Sequence, residues 1–243
     1  MPEIKHLSNA PITEAIIDIR TKLPPSVDLP RLGSVHDLIR QHYPKRKERK
    51  RWEGRIELKE GEPPAQTAVY KGSDGYLYTS EDDKQTVQFR LDGFTFNRLK
   101  PYETWERMRD EARRLWRLYL QIATPEKITR IALRYINRLD IPLPITDFGD
   151  YLAAPPSVAS GLPQGIRSFL TRVAIQEPAS EATCIINQAL ESLTKQGYAS
   201  LVLDIDVFKQ SQLDASDEEA WRVLETMRNF KNRVFLRVLL KTQ

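Results

Sequence analysis

The chain has little of what most catalytic and metal-binding architectures are built from. It contains one cysteine, Cys184. A single thiol forms no internal disulfide and anchors no thiolate metal cluster, and it fits a reducing cytosol. There are three histidines, His6, His36 and His42. They show neither ligand spacing nor an obvious carboxylate partner and read as ordinary surface or helix residues. The ten glycines fall in turns. None of them forms a Walker A loop, a G-x-G-x-x-G run or a G-x-S-x-G elbow, which removes the common phosphate cradles and serine hydrolases. No apolar run approaches the ~20 residues of a membrane-spanning helix. Met1 to Pro11 has no apolar segment behind its charges and reads as no secretory signal.

What is present is the composition of a globular chain, 40% apolar and 29% charged over 243 residues, enough to bury a substantial core. The net charge of +4 is uneven. Residues 1–123 hold 23 Lys/Arg against 19 Asp/Glu, and residues 124–243 hold 14 of each. The excess is concentrated in KRKERKR, Lys45 to Arg51, where six of seven residues are basic.

The most informative stretch is Ile128 to Ile141, ITRIALRYINRLDI. Ile131, Leu133, Tyr135, Leu139 and Ile141 fall on one face, and Arg130, Arg134, Arg138 and Asp140 on the other. A period of two predicts a strand with one buried face. Tyr135 and Asn137 lie on its buried side, as core groups with a satisfied amide. Pro11 to Arg20 alternates in the same way and places Glu14, Asp18 and Arg20 opposite Ala15, Ile17 and Ile19. Tyr198 to Phe208 places Asp204 and Asp206 opposite Leu201, Leu203, Ile205 and Val207.

Further strands are predicted at Trp52 to Lys59, Gln66 to Lys71, Tyr76 to Ser80, Thr86 to Leu91 and Phe94 to Arg98. Turns are expected at Gly61 to Pro64, at Ser73-Asp74-Gly75 and at Asp92-Gly93. Ile166 to Gln176 and Ala182 to Leu190 read as an antiparallel pair. Helical spacing predicts a helix from about Leu29 to His42, stopped by Pro44. A longer one spans Thr104 to Ala123 behind a Thr104 cap. A short helix is expected near Asp147 to Ala153. The capping box Ser216 to Glu219 starts a last helix, with a second helical segment from Phe230 to Leu240. Ala154 to Gly165 is a Pro/Ser/Gly-rich loop.

In element order the two halves, 1–123 and 124–243, match as strand, helix, strands and long helix. This predicts an α+β fold in one domain. A curved antiparallel sheet would carry long helices on one face, in the manner of helix-grip or TATA-binding-protein-like folds. The uncovered sheet face would then gather Glu14, Asp18, Arg20, Arg130, Arg134, Arg138, Asp204 and Asp206, with Glu14–Arg134 and Asp18–Arg130 or Asp18–Arg138 as cross-strand pairs.

Four segments carry a resemblance: NAPITEAIIDIR at Asn9 to Arg20, FTFNRLKPYETW at Phe94 to Trp105, RIALRYINRLDIP at Arg130 to Pro142, and LVLDIDVF at Leu201 to Phe208. Together they resemble a sporadically distributed, uncharacterised bacterial family over nearly the whole chain. That family has no established activity and lends no catalytic residue. Its scattered distribution implies an accessory system, such as antiviral defence, with a neighbouring gene product as partner.

Three functions follow as expectations. The first is a cytoplasmic, non-enzymatic protein that binds another protein in a defence, toxin–antitoxin or signalling system, through the charged face and the Pro156 to Gly165 loop. The second is a nucleic-acid-binding component using Lys45, Arg46, Lys47, Arg49, Lys50 and Arg51 with Arg109, Arg113 and Arg117. The third is a metal-dependent enzyme on a phosphorylated ligand at Asp204, Asp206, Glu14 and Arg134. No cofactor, resident metal or membrane partner is expected.

Overall fold

The computed structural model describes residues 10–57 and 65–239, without the side chains of 53–57, 65–68 and 192–195. His6, the Gly61 to Pro64 turn and Leu240 lie outside the described residues. The strands are β1 (Ile12–Lys22), β2 (Lys45–Glu57), β3 (Ala65–Thr79), β4 (Gln85–Arg90), β5 (Gly93–Leu99), β6 (Lys127–Pro142), β7 (Phe169–Glu177), β8 (Ala182–Lys195) and β9 (Tyr198–Asp214). They form one antiparallel sheet in the order β2-β3-β4-β5-β1-β6-β9-β8-β7. Helices α1 (Leu29–Gly33) and α2 (His36–Ile39) follow β1, α3 (Trp105–Ala123) follows β5, and α4 (Asp217–Val238) follows β9.

β1 is the central strand, and its alternation explains why. Ala15, Ile17 and Ile19 are fully buried on one face. They pair across to Tyr135, Leu133 and Ile131 of β6, and Ile17 and Ile19 to Phe96 and Phe94 of β5. On β9 the buried row continues as Leu201, Leu203, Ile205 and Val207. α3 and α4 cover this row from the same side. α3 contributes Met108, Leu115, Trp116 and Tyr119, and α4 contributes Leu224, Met227 and Val234. Trp116 and Tyr119 pack on Phe94 with ring centroids 5.7 and 6.1 Å apart. Thr104 and Ser216 cap the two helices by accepting from the backbone N–H of Arg107 and of Glu219, which satisfies otherwise orphaned donors.

Several expectations are corrected. The helix-rich α+β arrangement of matched strand–helix–strands–helix halves does not form, since 46% of the chain is strand and 25% helix. In the second half only a 3-10 turn at Phe148–Asp150 stands where a helix would follow β6. Pro142, Pro144, Pro155 and Pro156 deny that segment helical hydrogen bonds. The Leu29 to His42 helix is two short pieces. Ser34 and Val35 interrupt it, and the Ser34 hydroxyl donates back to Arg31 O at 2.8 Å, competing with helix continuation.

Ser73-Asp74-Gly75 is not a turn. β3 runs through it, because Gly72 at φ +98° takes up a register shift against β2. The strand predicted to begin at Trp52 begins at Lys45, so the basic run is itself the first half of β2. α4 does not break near Phe230, because its buried stripe continues at helical spacing through Phe230, Lys231 and Val234.

Asp92-Gly93 does turn β4 into β5. Gly93 sits at φ +147°, and a Cβ there would lie 2.2 Å from Ile19 O of the central strand. Backbone strain and overpacking add at this position. Gly93→Ala is expected to lower the unfolding free energy by about 3 kcal/mol, read from the urea midpoint at unchanged m-value.

Candidate functional site

The sheet face away from α3 and α4 carries the predicted charges. Strand parity puts Glu14, Asp18 and Arg20 of β1 there, with Arg130, Arg134 and Arg138 of β6 and Asp204 and Asp206 of β9. Asp18 is the hub. Its Oδ1 accepts from Arg90 Nη2 and Thr95 Oγ1, both at 2.8 Å, and its Oδ2 accepts from Arg20 Nε and Arg130 Nη1, both at 3.2 Å. Burial pushes its pKa up, but Arg90, Arg20 and the Thr95 bond outweigh this and hold it below the ordinary value.

Asp204 takes a bidentate Arg134, Nε and Nη2 at 2.8 Å each, and Asn187 Nδ2 at 3.0 Å. Arg138 donates to Ser200 Oγ at 3.1 Å and pairs with Glu191. Glu14 turns to Asn97 Nδ2 at 2.6 Å, while Arg134 is taken by Asp204. The Asp18–Arg130 pair therefore forms, whereas Glu14 bonds to Asn97 and Arg134 to Asp204. Asp206 is the least compensated carboxylate of the face. Its ion-pair partner is Arg130 at 3.8 Å, whose closer contact is Asp18 and whose guanidinium lies 4.7 Å over the Phe208 ring. Burial raises its pKa, and Arg130 and Arg134 offset this only in part. Among the described residues no three His, Cys, Asp or Glu side chains come together as a metal site.

The nucleic-acid candidates separate into two groups. Arg113 and Arg117 both donate to Asp217 of α4, their Nε atoms at 2.8 and 3.0 Å. Arg109 pairs with Asp110 and with Glu225 of α4. These three arginines tie the helices together. On β2, Lys45 pairs with Asp83 at 2.7 Å, Arg49 with Asp74, and Arg46 lies 4.1 Å over the Tyr76 ring. Lys47, Lys50 and Arg51 are exposed.

β2 is an edge strand, and β4 pairs β3 only from Gly75 to Thr79. The rest of β3 pairs β2 alone, so the two run past β4 as a two-stranded ribbon. Trp52, Val69 and Tyr70 are exposed on it, and the Trp52 and Tyr70 rings are 5.3 Å apart. The Pro156 to Gly165 loop is exposed over most of its length and ends beside a groove lined by Leu143, Phe148 and Ile166.

The helix-covered side holds a different arrangement. A cavity of about 430 Å³ lies between α4, the start of α3 and the ends of β1 and β6. Lys231 reaches into it from the buried stripe of α4, only 8% exposed. Its Nζ lies 3.8 Å from the centroid of the Tyr135 ring. Among the described residues it pairs with no carboxylate. Burial, helped by Arg228, pulls its pKa down to about 7. The Tyr135 hydroxyl meets that of Tyr102 at 2.9 Å. Asn137 donates through Nδ2 to Leu203 O at 3.0 Å and Tyr135 O at 3.4 Å, but its Oδ1 has no partner. The amide expected to be satisfied is half satisfied.

The chain matches no model of a known protein family and no curated protein. Among the described residues no helix is long and apolar enough to cross a membrane. His36 stacks on Tyr78 with centroids 5.2 Å apart, and His42 is exposed. Cys184 is buried, and burial pushes its thiol up to about 12, which leaves it unreactive at neutral pH. Lys231, Tyr102 and Tyr70 were missed from sequence. Lys231 had a legible signal, a lysine four residues after Met227 and three before Val234 in an apolar stripe, but the expected break near Phe230 hid it.

Proposed function

We propose that this protein acts by binding another protein, as a non-enzymatic component of a bacterial accessory system in the cytoplasm. A defence, toxin–antitoxin or signalling partner encoded nearby is the expected counterpart. The observation that carries this reading is the β2–β3 ribbon, where exposed Trp52, Val69 and Tyr70 stand beside basic side chains on a free sheet edge. Solvent-facing Trp, Tyr and Arg are the residue types that dominate binding energy at interfaces. A free edge also offers backbone groups to an added strand. The partner's matching surface is acidic with an apolar centre. The open sheet face adjoins the ribbon as a second contact region. Its guanidinium groups are held by carboxylates, so it offers a shaped, preorganised polar surface. The resemblance of the four sequence segments to a sporadic bacterial family supports the accessory-system part of the proposal.

The second reading is nucleic-acid binding, favoured by Lys47, Lys50 and Arg51, exposed on the same ribbon. Salt separates the two. In a pull-down from the native host, a stoichiometric protein is expected to survive moderate salt and to be lost in Trp52→Ala/Tyr70→Ala, where truncating two anchors costs about 2 kcal/mol or more each. Nucleic acid stripped as salt rises, and lost in Lys47→Glu/Lys50→Glu/Arg51→Glu, would replace this reading by the second. A lone protein at both salts would sink both.

A further inference from the structure

The cavity beneath α4 is built like a ligand site, and the ribbon reading does not use it. Two of its polar groups are more than nine-tenths buried, and each has unmet bonding capacity. Lys231 is 8% exposed and its Nζ has the face of Tyr135 as its contact. Asn137 is 1% exposed and its Oδ1 accepts nothing. Groups of this kind are costly to bury unless something pairs with them. Both residues line the same cavity of about 430 Å³, a size that suits a small organic molecule.

The walls define the ligand's chemistry. Lys231 presents N–H donors and positive charge, which call for an anionic oxygen. Asn137 Oδ1 calls for an N–H or O–H donor. Ile12, Trp105 and Phe235 supply an apolar wall. The remaining charged neighbours do not neutralise the lysine. Arg228 and Glu106, which also line the cavity, pair with each other at 3.5 Å, and Arg228 pairs with Glu225 at 3.6 Å. Tyr102 and Tyr135, bonded to each other, both stay protonated because burial raises their pKa values.

We propose that this cavity is a binding site for a small organic carboxylate that also carries an N–H or O–H donor and an apolar body, with Lys231 binding the carboxylate and Asn137 Oδ1 accepting the donor. No covalent step is involved. A carboxylate seated on Nζ favours the charged amine, which burial disfavours in the free protein. Binding therefore takes up a proton wherever the free protein holds Lys231 neutral.

The test is calorimetric titration of the full-length protein with indole-3-acetate, 4-hydroxyphenylacetate and N-acetylleucine, each at millimolar concentration, in two buffers of different ionisation enthalpy. The expected result is saturable binding of at least one of them. Uptake should be close to one proton per ligand at about pH 8, where Lys231 is mostly neutral, and should nearly vanish at about pH 6. Lys231→Met is expected to weaken binding at least tenfold and to abolish the proton uptake, while circular dichroism shows it folded. Arg40→Ala, exposed beyond α2 and outside the cavity lining, should bind as the wild type does. The proposal is overturned if none of the three binds, or if binding persists in Lys231→Met with the proton uptake intact. Neither result touches the ribbon reading, which is tested on another surface.

Discussion

Lys231→Met raises the stability of the protein, and does so most at acidic and neutral pH. In the unfolded chain this lysine titrates near 10.5, and in the fold at about 7. Between those values the unfolded state binds a proton that the folded state refuses, so the wild type is penalised. The penalty is complete below about pH 7. It shrinks as pH rises and is gone above about 10.5. A gap of this size corresponds to roughly 4–5 kcal/mol.

The methionine has a similar stem, fills the same part of the α4 stripe and carries no charge to desolvate. The groups that face Lys231 are Arg228 on α4, Tyr135 on β6 and Tyr102 ahead of α3, with Glu106 of α3 engaged by Arg228. None of them supplies a compensating negative charge at neutral pH. Urea unfolding at about pH 6, 8 and 9.5 checks this. Wild-type stability should rise by about 1.4 kcal/mol per pH unit relative to Lys231→Met through the middle of that range. A difference that is small and independent of pH would show that the amine is solvated in the fold.

The opposite face of the sheet gives the second large effect, and there the two aspartates differ. Asp18→Asn is expected to cost about 3–5 kcal/mol, the usual penalty for removing one partner of a buried pair. Arg90, 4% exposed at its side chain, would lose the carboxylate at 2.8 Å and keep Asp92 at 3.1 Å, while Arg20 and Arg130 would lose theirs at 3.2 Å and keep Asp92 and Asp206. Because these cations lower the Asp18 pKa in the fold, its contribution is present above the ordinary aspartate range. It is lost as pH falls through the folded value.

Asp206→Asn should be neutral or stabilising by up to about 1 kcal/mol, since burial already disfavours its charge and Arg130 stands off at 3.8 Å. Chemical denaturation of the two single variants at about pH 7 decides this. Equal losses would mean that Asp206 is as tightly held as Asp18.

Much of the sheet was legible because it depends on neighbouring residues. Strict alternation located β1, β6 and β9 and sorted their charges onto one face before any contact was known. Thr104 and Ser216 announced the helix starts, and Asp92-Gly93 announced the hairpin. The errors fall where local pattern and tertiary demand conflict. KRKERKR has the composition of a solvated loop, yet pairing with β3 makes it an edge strand, with Asp74 and Asp83 taking part of its charge. Ser73-Asp74-Gly75 has turn composition, yet Gly72 absorbs the irregularity and the strand continues. Leu29 to His42 has helical spacing, but Ser34 and Val35 leave two pieces.

The site residues divide in the same way. By itself the sequence determined which residues share a strand face, because side-chain direction follows from a period of two. It also determined which motifs are absent, because a motif is a matter of residue type. Only the tertiary structure decided who pairs with whom. Arg134 meets Asp204 rather than Glu14, and Arg113 and Arg117 meet Asp217 of a helix distant in the chain. It also decided that Lys231 and Asn137 share a cavity while the carboxylates near it are held by Arg228. Partner choice and burial are set by the packing of elements far apart in sequence, and no local pattern records them.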